Sequence, residues 1–217
     1  MVVSLVEMVA QLLRLATLIS AGLAVALTSF PLAVSAQANP RSTFPGRRVG
    51  GGTRGECSAR TLVHLVPATS VYAPGASGLV GLVQGPSDSP VSLQVTLKPE
   101  DGSAESTRTL SAAPTSIVLI DAQASRPTVW ESSFNCGSGD GGDSSDPMAF
   151  VQSTSPPALS LLVSDAEPTD QSLQALLSSL LAKCGSNVST AETMSQFGFA
   201  DLVTEAWPKT LPIRCDS

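Results

Sequence analysis

The sequence predicts a mainly β protein, built as an antiparallel β-sandwich-like domain with a small C-terminal helical appendage. Short apolar segments alternate with Gly- and Pro-rich turns between Cys57 and residue 165, a pattern typical of sandwiches and barrels. After residue 165 the apolar residues recur with the period of a helix. Only 4% of the residues are aromatic, so we expect Leu, Val and Ala to fill most of the core.

Residues 1–38 have the features of a signal peptide. No charged residue occurs from Leu15 to Pro40, and the apolar run is followed by Ala36-Gln37-Ala38, a small-x-small pattern that signal peptidase accepts. We therefore expect a mature N-terminus at Asn39 and a periplasmic or extracellular protein. An uncleaved anchor is the alternative, because about 20 apolar residues can span a bilayer. Membrane contact is then expected only through the leader.

Residues 39–56 are expected to form a flexible Arg- and Gly-rich tail, too polar to bury itself. It carries Arg41, Arg47, Arg48 and Arg54, whereas the whole chain has a net charge of −6. Because arginine pairs well with anionic groups, we expect Arg47, Arg48 and Arg54 to bind an anionic envelope polymer or protein. A solvated linker and an arm folded back on its own domain are the alternatives. The acidic balance of the chain argues against a nucleic-acid partner.

The β domain is expected over residues 57–165. Its clearest strand is Val91–Lys98, in which apolar and polar residues alternate so that the odd-numbered positions share one apolar face. In Thr128–Cys136, Trp130 and Phe134 share a face in the same way. Shorter apolar runs predict further strands at Thr61–Val66, Leu79–Val83, Ser116–Ile120, Met148–Gln152 and Ala158–Val163.

The helical appendage and a Pro-rich extended tail are expected over residues 166–217. Leucines at positions 173, 176, 177, 180 and 181 form one stripe of a helix, which Thr169 or Asp170 can cap. The pattern Ser189-Thr190-Ala191-Glu192 is a capping box and predicts the start of a second helix.

The four cysteines are expected to form two disulfides, because an even number of cysteines behind an export signal is typical of disulfide-bonded proteins. Spacing alone allows three connectivities. We expect Cys57–Cys136, which would join the ends of the β domain, and Cys184–Cys215, with Cys184 pointing into the core from the leucine stripe. Zinc binding is disfavoured, because the closest cysteines lie 31 residues apart.

The stretch from Gly46 to Cys57, Gly-Arg-Arg-Val-Gly-Gly-Gly-Thr-Arg-Gly-Glu-Cys, is followed by the strand Leu62-Val63-His64-Leu65-Val66-Pro67. It resembles secreted cyanobacterial proteins of unknown function that open with an Arg-Gly-Gly-Thr-Arg-Gly-x-Cys segment. Those proteins end a β module with a Trp near a Cys, as Trp130 and Cys136 do here. The resemblance covers about Pro45 to Cys136. It implies an exported envelope protein and supplies no catalytic residue.

No catalytic or cofactor motif is recognisable. Gly50–Gly55 matches the dinucleotide fingerprint formally, but a strand before it, a helix after it and a P-loop lysine are all missing. His64 is the only histidine, and we expect it to be packed in its apolar strand or at a rim. A hydrolase or transferase would need a site built from scattered Ser and Asp residues with His64.

An acidic loop is expected over residues 137–147. Its three aspartates, Asp140, Asp143 and Asp146, recur every three residues and make it a calcium candidate, although their spacing matches no established calcium loop. The sequence therefore favours a non-catalytic exported cell-envelope protein with a binding or scaffolding role. An enzyme built on His64 and a calcium-stabilised adhesion module are the alternatives.

Overall fold

The structure of the chain is a computed structural model, which describes residues 39–51, 60–135 and 156–216. These residues belong to one compact unit, Asn39–Ser217. Their strands form one sheet of six strands and one of five, accompanied by three helices. The predicted mainly β, sandwich-like fold with a small helical part is confirmed.

The strands are, in chain order, β1 (Val49–Gly50), β2 (Leu62–His64), β3 (Val71–Tyr72), β4 (Leu79–Gln84), β5 (Leu93–Pro99), β6 (Ser106–Leu110), β7 (Ser116–Asp121), β8 (Thr128–Phe134), β9 (Ala158–Leu162), β10 (Asn187–Ser189) and β11 (Thr210–Asp216). The helices are α1 (Pro40–Thr43), α2 (Pro168–Leu181) and α3 (Thr190–Gln196). Sheet 1 has the order β1-β2-β4-β7-β11-β10, and sheet 2 has the order β3-β9-β8-β5-β6. The pairs β7–β11 and β3–β9 are parallel, so the sheets are mixed rather than purely antiparallel as predicted.

Sheet 1 is covered on both faces. On one face, the His64 ring stacks on Trp130 of sheet 2, with ring centroids 3.5 Å apart. On the other face α2 approaches closely: a Cβ atom added to Gly81 would lie 2.7 Å from the Leu177 side chain. All residues of β4 and all but the last of β7 are buried, as expected for strands with two covered faces.

Sheet 2 has a buried inner face toward sheet 1. Its outer face is polar on β5 and β6, whereas Val71, Leu161 and Val129 on the other strands form a small apolar cluster with Phe44 of the N-terminal segment. In β8, Thr128, Trp130 and Ser132 are buried, while the residues between them are partly exposed. This alternation is the one that the sequence predicted for the strand. The edge strand β6 is exposed at every position except Leu110.

The predicted strands agree with β2, β4, β5, β7, β8 and β9, with ends that differ by no more than two residues. The predicted strand Met148–Gln152 lies outside the described residues. Three further strands, β1, β3 and β10, have only two or three residues each. They are too short to show a period in the sequence, so only their partners define them.

The helix predicted from the leucine stripe is α2. Leu177 and Leu180 of the stripe are buried, whereas Leu181 is 45% exposed. The N-cap is Glu167 rather than Thr169 or Asp170 as predicted, because Asp170 lies in the first turn and its carboxylate accepts the Glu167 N–H at 2.8 Å. No helix within the described ranges is long and apolar enough to cross a membrane.

The C-terminal segment is more than a helical appendage. The helix α3 begins as predicted, where the Ser189 hydroxyl accepts the Glu192 N–H. The strands β10 and β11, however, join sheet 1, and β11 lies between β7 and β10. The predicted boundary at residue 165 therefore does not separate this segment from the β domain.

Candidate functional site

The N-terminal segment 39–51 crosses from one sheet to the other. The backbone of Arg47 makes two hydrogen bonds with Leu159 of sheet 2, of 2.8 and 2.7 Å, and β1 then pairs with β2 in sheet 1. Gly50 lies so close to β9 that a Cβ atom would be 2.3 Å from the Ala158 nitrogen. The prediction of a flexible tail is therefore wrong for residues 39–51, because both sheets satisfy its backbone.

Arg41 fastens this segment to α2. Its guanidinium lies 2.6 Å from the carboxylate of Asp170, which is fully buried, and 3.1 Å from that of Glu167. It also donates to the carbonyl oxygens of Asp165 and Val71, at 2.7 and 3.3 Å. The sequence predicted Arg41 to be part of a flexible tail, so its contact with α2 was not predicted.

Arg48 also packs against its own fold. Its guanidinium lies 4.1 Å from the centre of the Phe199 ring, a cation–π geometry, and donates to the Val66 carbonyl at 3.3 Å. Partial burial lowers the pKa of Arg48, and nearby Asp201 acts in the opposite direction. Of the arginines predicted to bind a partner, Arg48 is thus half-buried, and Arg54 lies outside the described residues.

Arg47 differs from its neighbours because its side chain is exposed and makes no ion pair with a described residue. Residues directly opposite each other on neighbouring strands share a face of the sheet. The register therefore places Arg47 at the start of a cross-strand row on the outer face of sheet 2. The row consists, in order, of Arg47, Leu159, Glu131, Thr96 and Thr107.

A second row lies beside the first and consists of Ser133, Gln94 and Thr109. We call these two rows together the polar face. Strands in a sheet lie about 4.8 Å apart, so the first row is about 19 Å long. The alternation of β5 indicated its polar side, but the sequence did not predict β6, and the extent of the face was missed for that reason.

The charges and hydroxyl groups of the polar face are arranged in pairs. Lys98, next to the rows, forms an ion pair of 3.1 Å with Glu131. The hydroxyl groups of Thr96 and Thr107 form a hydrogen bond of 3.1 Å, and Thr107 is the exposed member of this pair because Thr96 is buried. Because Lys98 compensates the charge of Glu131, the guanidinium of Arg47 is available to bind an anion. The hydroxyl and amide groups beside it can form hydrogen bonds with hydroxyl groups of a ligand.

His64 is packed in the core, which is one of the two positions that the sequence predicts for it. Its Nδ1 lies 2.8 Å from the Ser160 hydroxyl, and its Nε2 has no hydrogen-bond partner among the described residues. Burial lowers the pKa of His64 well below its ordinary value of 6.5, so the imidazole is neutral. Both members of this Ser–His pair are fully buried, and a substrate cannot reach them in this conformation.

The predicted disulfide Cys184–Cys215 is confirmed, with Cα atoms 6.0 Å apart. The expected orientation of Cys184 is wrong, since this residue is exposed. The helical stripe does not extend to it, because α2 ends at Leu181 and the chain then turns through Gly185, which has a φ of 76°.

The remaining predicted positions lie outside the described residues. They are the leader 1–38, Cys57, Cys136 and the calcium candidates Asp140, Asp143 and Asp146. The leader, the Cys57–Cys136 disulfide and the calcium alternative therefore stay predictions.

Comparisons of the chain with protein-family models, with curated proteins and with solved structures find no match. The resemblance to secreted cyanobacterial proteins accordingly stays a prediction.

Proposed function

We propose that the protein is a non-catalytic, exported cell-envelope protein that binds an anionic envelope polymer through Arg47 and the polar face. The observation that carries the proposal is the exposed Arg47 guanidinium at one end of a row whose other end is the exposed Thr107. The other two described arginines of the segment, Arg41 and Arg48, bind their own fold.

A polymer fits the polar face better than a folded protein does. Protein interfaces depend on buried aromatic and large apolar anchors, and Leu159 is the one large apolar residue in the two rows. A linear chain with hydroxyl and acidic groups can instead follow the two rows, placing an anionic group at Arg47 and hydroxyl groups at the exposed Thr107 and Thr109. Each net hydrogen bond contributes only about 1 kcal/mol, so we expect weak binding that is strengthened by repeated contacts along a polymer.

Export is supported by the disulfide Cys184–Cys215, because disulfides form and persist mainly in oxidising compartments. The predicted leader and the resemblance to secreted cyanobacterial proteins point the same way. The alternative of a hydrolase or transferase has less support, because His64 and Ser160 are both buried in the core.

The test is cosedimentation of the purified protein with isolated cell envelopes, using variants of the polar face. Arg47→Ala should reduce the bound fraction at least threefold, and Thr107→Ala/Thr109→Ala should reduce it further. The melting temperature of Arg47→Ala should change little, because this side chain is exposed. Thr107→Ala/Thr109→Ala also removes the hydrogen bond to Thr96, so its melting temperature should fall slightly while the protein stays folded at the assay temperature.

Lys209→Ala removes an exposed cation elsewhere on the molecule and is the matched control. It should bind as the wild type does. The proposal is wrong if the variants of the polar face also bind as the wild type does, or if Lys209→Ala weakens binding as much as Arg47→Ala.

A further inference from the structure

We propose a second binding site, which takes a sugar unit of an uncharged glycan, in a groove beside sheet 1. The groove has a volume of about 430 Å³. Its apolar lining consists of Trp207, Ala206 and four prolines, Pro86, Pro114, Pro208 and Pro212. We call it the proline groove. Its residues are distinct from those of the polar face, so this inference does not depend on the proposed function.

Four proline rings restrict the backbone of the proline groove before any ligand binds. The ring of each proline holds its φ angle near −65°. Trp207 is 9% exposed and packs beside Gly85, where an added Cβ atom would lie 3.4 Å from the indole ring. The Thr190 hydroxyl donates to the Pro208 carbonyl at 2.5 Å and fixes the backbone next to Trp207. A preformed groove binds a small ligand with little loss of conformational entropy.

The charges of the groove argue against an anionic ligand. Asp88 is the charged residue among its described lining residues, and no described Lys, Arg or His lines it. A phosphate, carboxylate or sulfate group would therefore meet a like charge and no compensating cation. The ligand is thus uncharged or cationic.

The hydrogen-bonding groups favour a ligand that is rich in donors. Prolines have no N–H group, and the Asp88 carboxylate only accepts hydrogen bonds. Among the described lining residues, the side chains that can donate are hydroxyl-bearing ones, such as Thr115 and Thr210, and Trp207 with its indole N–H. A proline-rich peptide offers mainly carbonyl acceptors and is a poor match.

A sugar ring has the complementary chemistry. Its hydroxyl groups donate to Asp88 and exchange hydrogen bonds with Thr115 and Thr210, while its C–H faces contact the proline rings and Trp207. One or two sugar units in an open groove bind weakly, with a dissociation constant on the order of 1 mM. The site therefore suits a polymer that is present at high local concentration.

The experiment is saturation-transfer NMR and tryptophan fluorescence titration of the full chain with three kinds of probe. The probes are a panel of neutral oligosaccharides based on glucose, galactose and mannose, an oligogalacturonate and an octaproline peptide. We expect at least one neutral oligosaccharide to bind and the other two probes to bind at least tenfold more weakly. Pro114→Ala and Thr210→Val should each weaken binding at least threefold.

Two controls keep the result specific. Pro90→Ala removes an exposed proline outside the groove and should leave binding unchanged, as should Arg47→Ala on the polar face. The inference is overturned if no neutral oligosaccharide binds at 10 mM, if the peptide or the acidic sugar binds more tightly, or if the groove variants bind as the wild type does. Envelope association that is lost in Arg47→Ala and kept in the groove variants would separate the two sites.

Discussion

At the scale of single residues, His64 makes the stability of the folded state depend on pH. It lies between the sheets against Trp130, and burial lowers its pKa well below 6.5. The unfolded chain therefore binds the proton first, and the folded state loses stability as the pH falls below about 6.5. We expect this residue to remove about 1.4 kcal/mol for each pH unit below that value. Urea unfolding at pH 7.5, 6.5 and 5.5 measures the loss.

Two variants separate this titration from that of the carboxylates. His64→Phe keeps a ring against Trp130 but cannot bind a proton, so its stability should decline less steeply between pH 6.5 and 5.5. Ser160→Ala removes the hydrogen bond to Nδ1 and keeps the imidazole, so the steep decline should remain. Equal slopes for His64→Phe and the wild type would contradict the assignment.

At the scale of elements, Arg108 protects the edge strand β6 from pairing with another chain. The other edge strands have two or three residues, whereas β6 has five and is almost wholly exposed. Arg108 is opposite the buried Val95, so it shares the inner face of the sheet. An inward-facing charge on an edge is a known device against strand addition, because pairing would bury it. We expect Arg108→Val to raise the weight-average sedimentation coefficient at equal protein concentration.

Thr107→Val is the matched control for this edge. It makes the same strand more apolar but leaves the arginine in place, so its sedimentation should resemble that of the wild type. If Thr107→Val associates as strongly as Arg108→Val, general hydrophobicity rather than the charge governs the edge.

At the scale of the whole molecule, the features that the sequence predicts correctly are those set by residues close to one another along the chain. The alternation in β5 and β8, the second helix and the packed His64 all follow from local patterns of apolar residues. The prediction for the N-terminal segment was wrong because the partners of this segment are remote in the sequence. Arg41 and Asp170 are 129 residues apart, and nothing near Arg41 indicates that its side chain becomes mostly buried. The polar face was missed in the same way, since it needs the pairing of strands that local periodicity does not give.

The long-range ion pair between Arg41 and Asp170 allows the strongest test of the fold as a whole. Arg41→Ala leaves the fully buried Asp170 carboxylate without its cation, a change that typically costs about 3–5 kcal/mol. Arg47 belongs to the same segment but is exposed, so Arg47→Ala should change stability by less than about 0.5 kcal/mol. Urea unfolding of the two variants at pH 7 measures the difference. Equal losses would mean that the segment contributes through its backbone alone, and that the ion pair does not fasten it to α2.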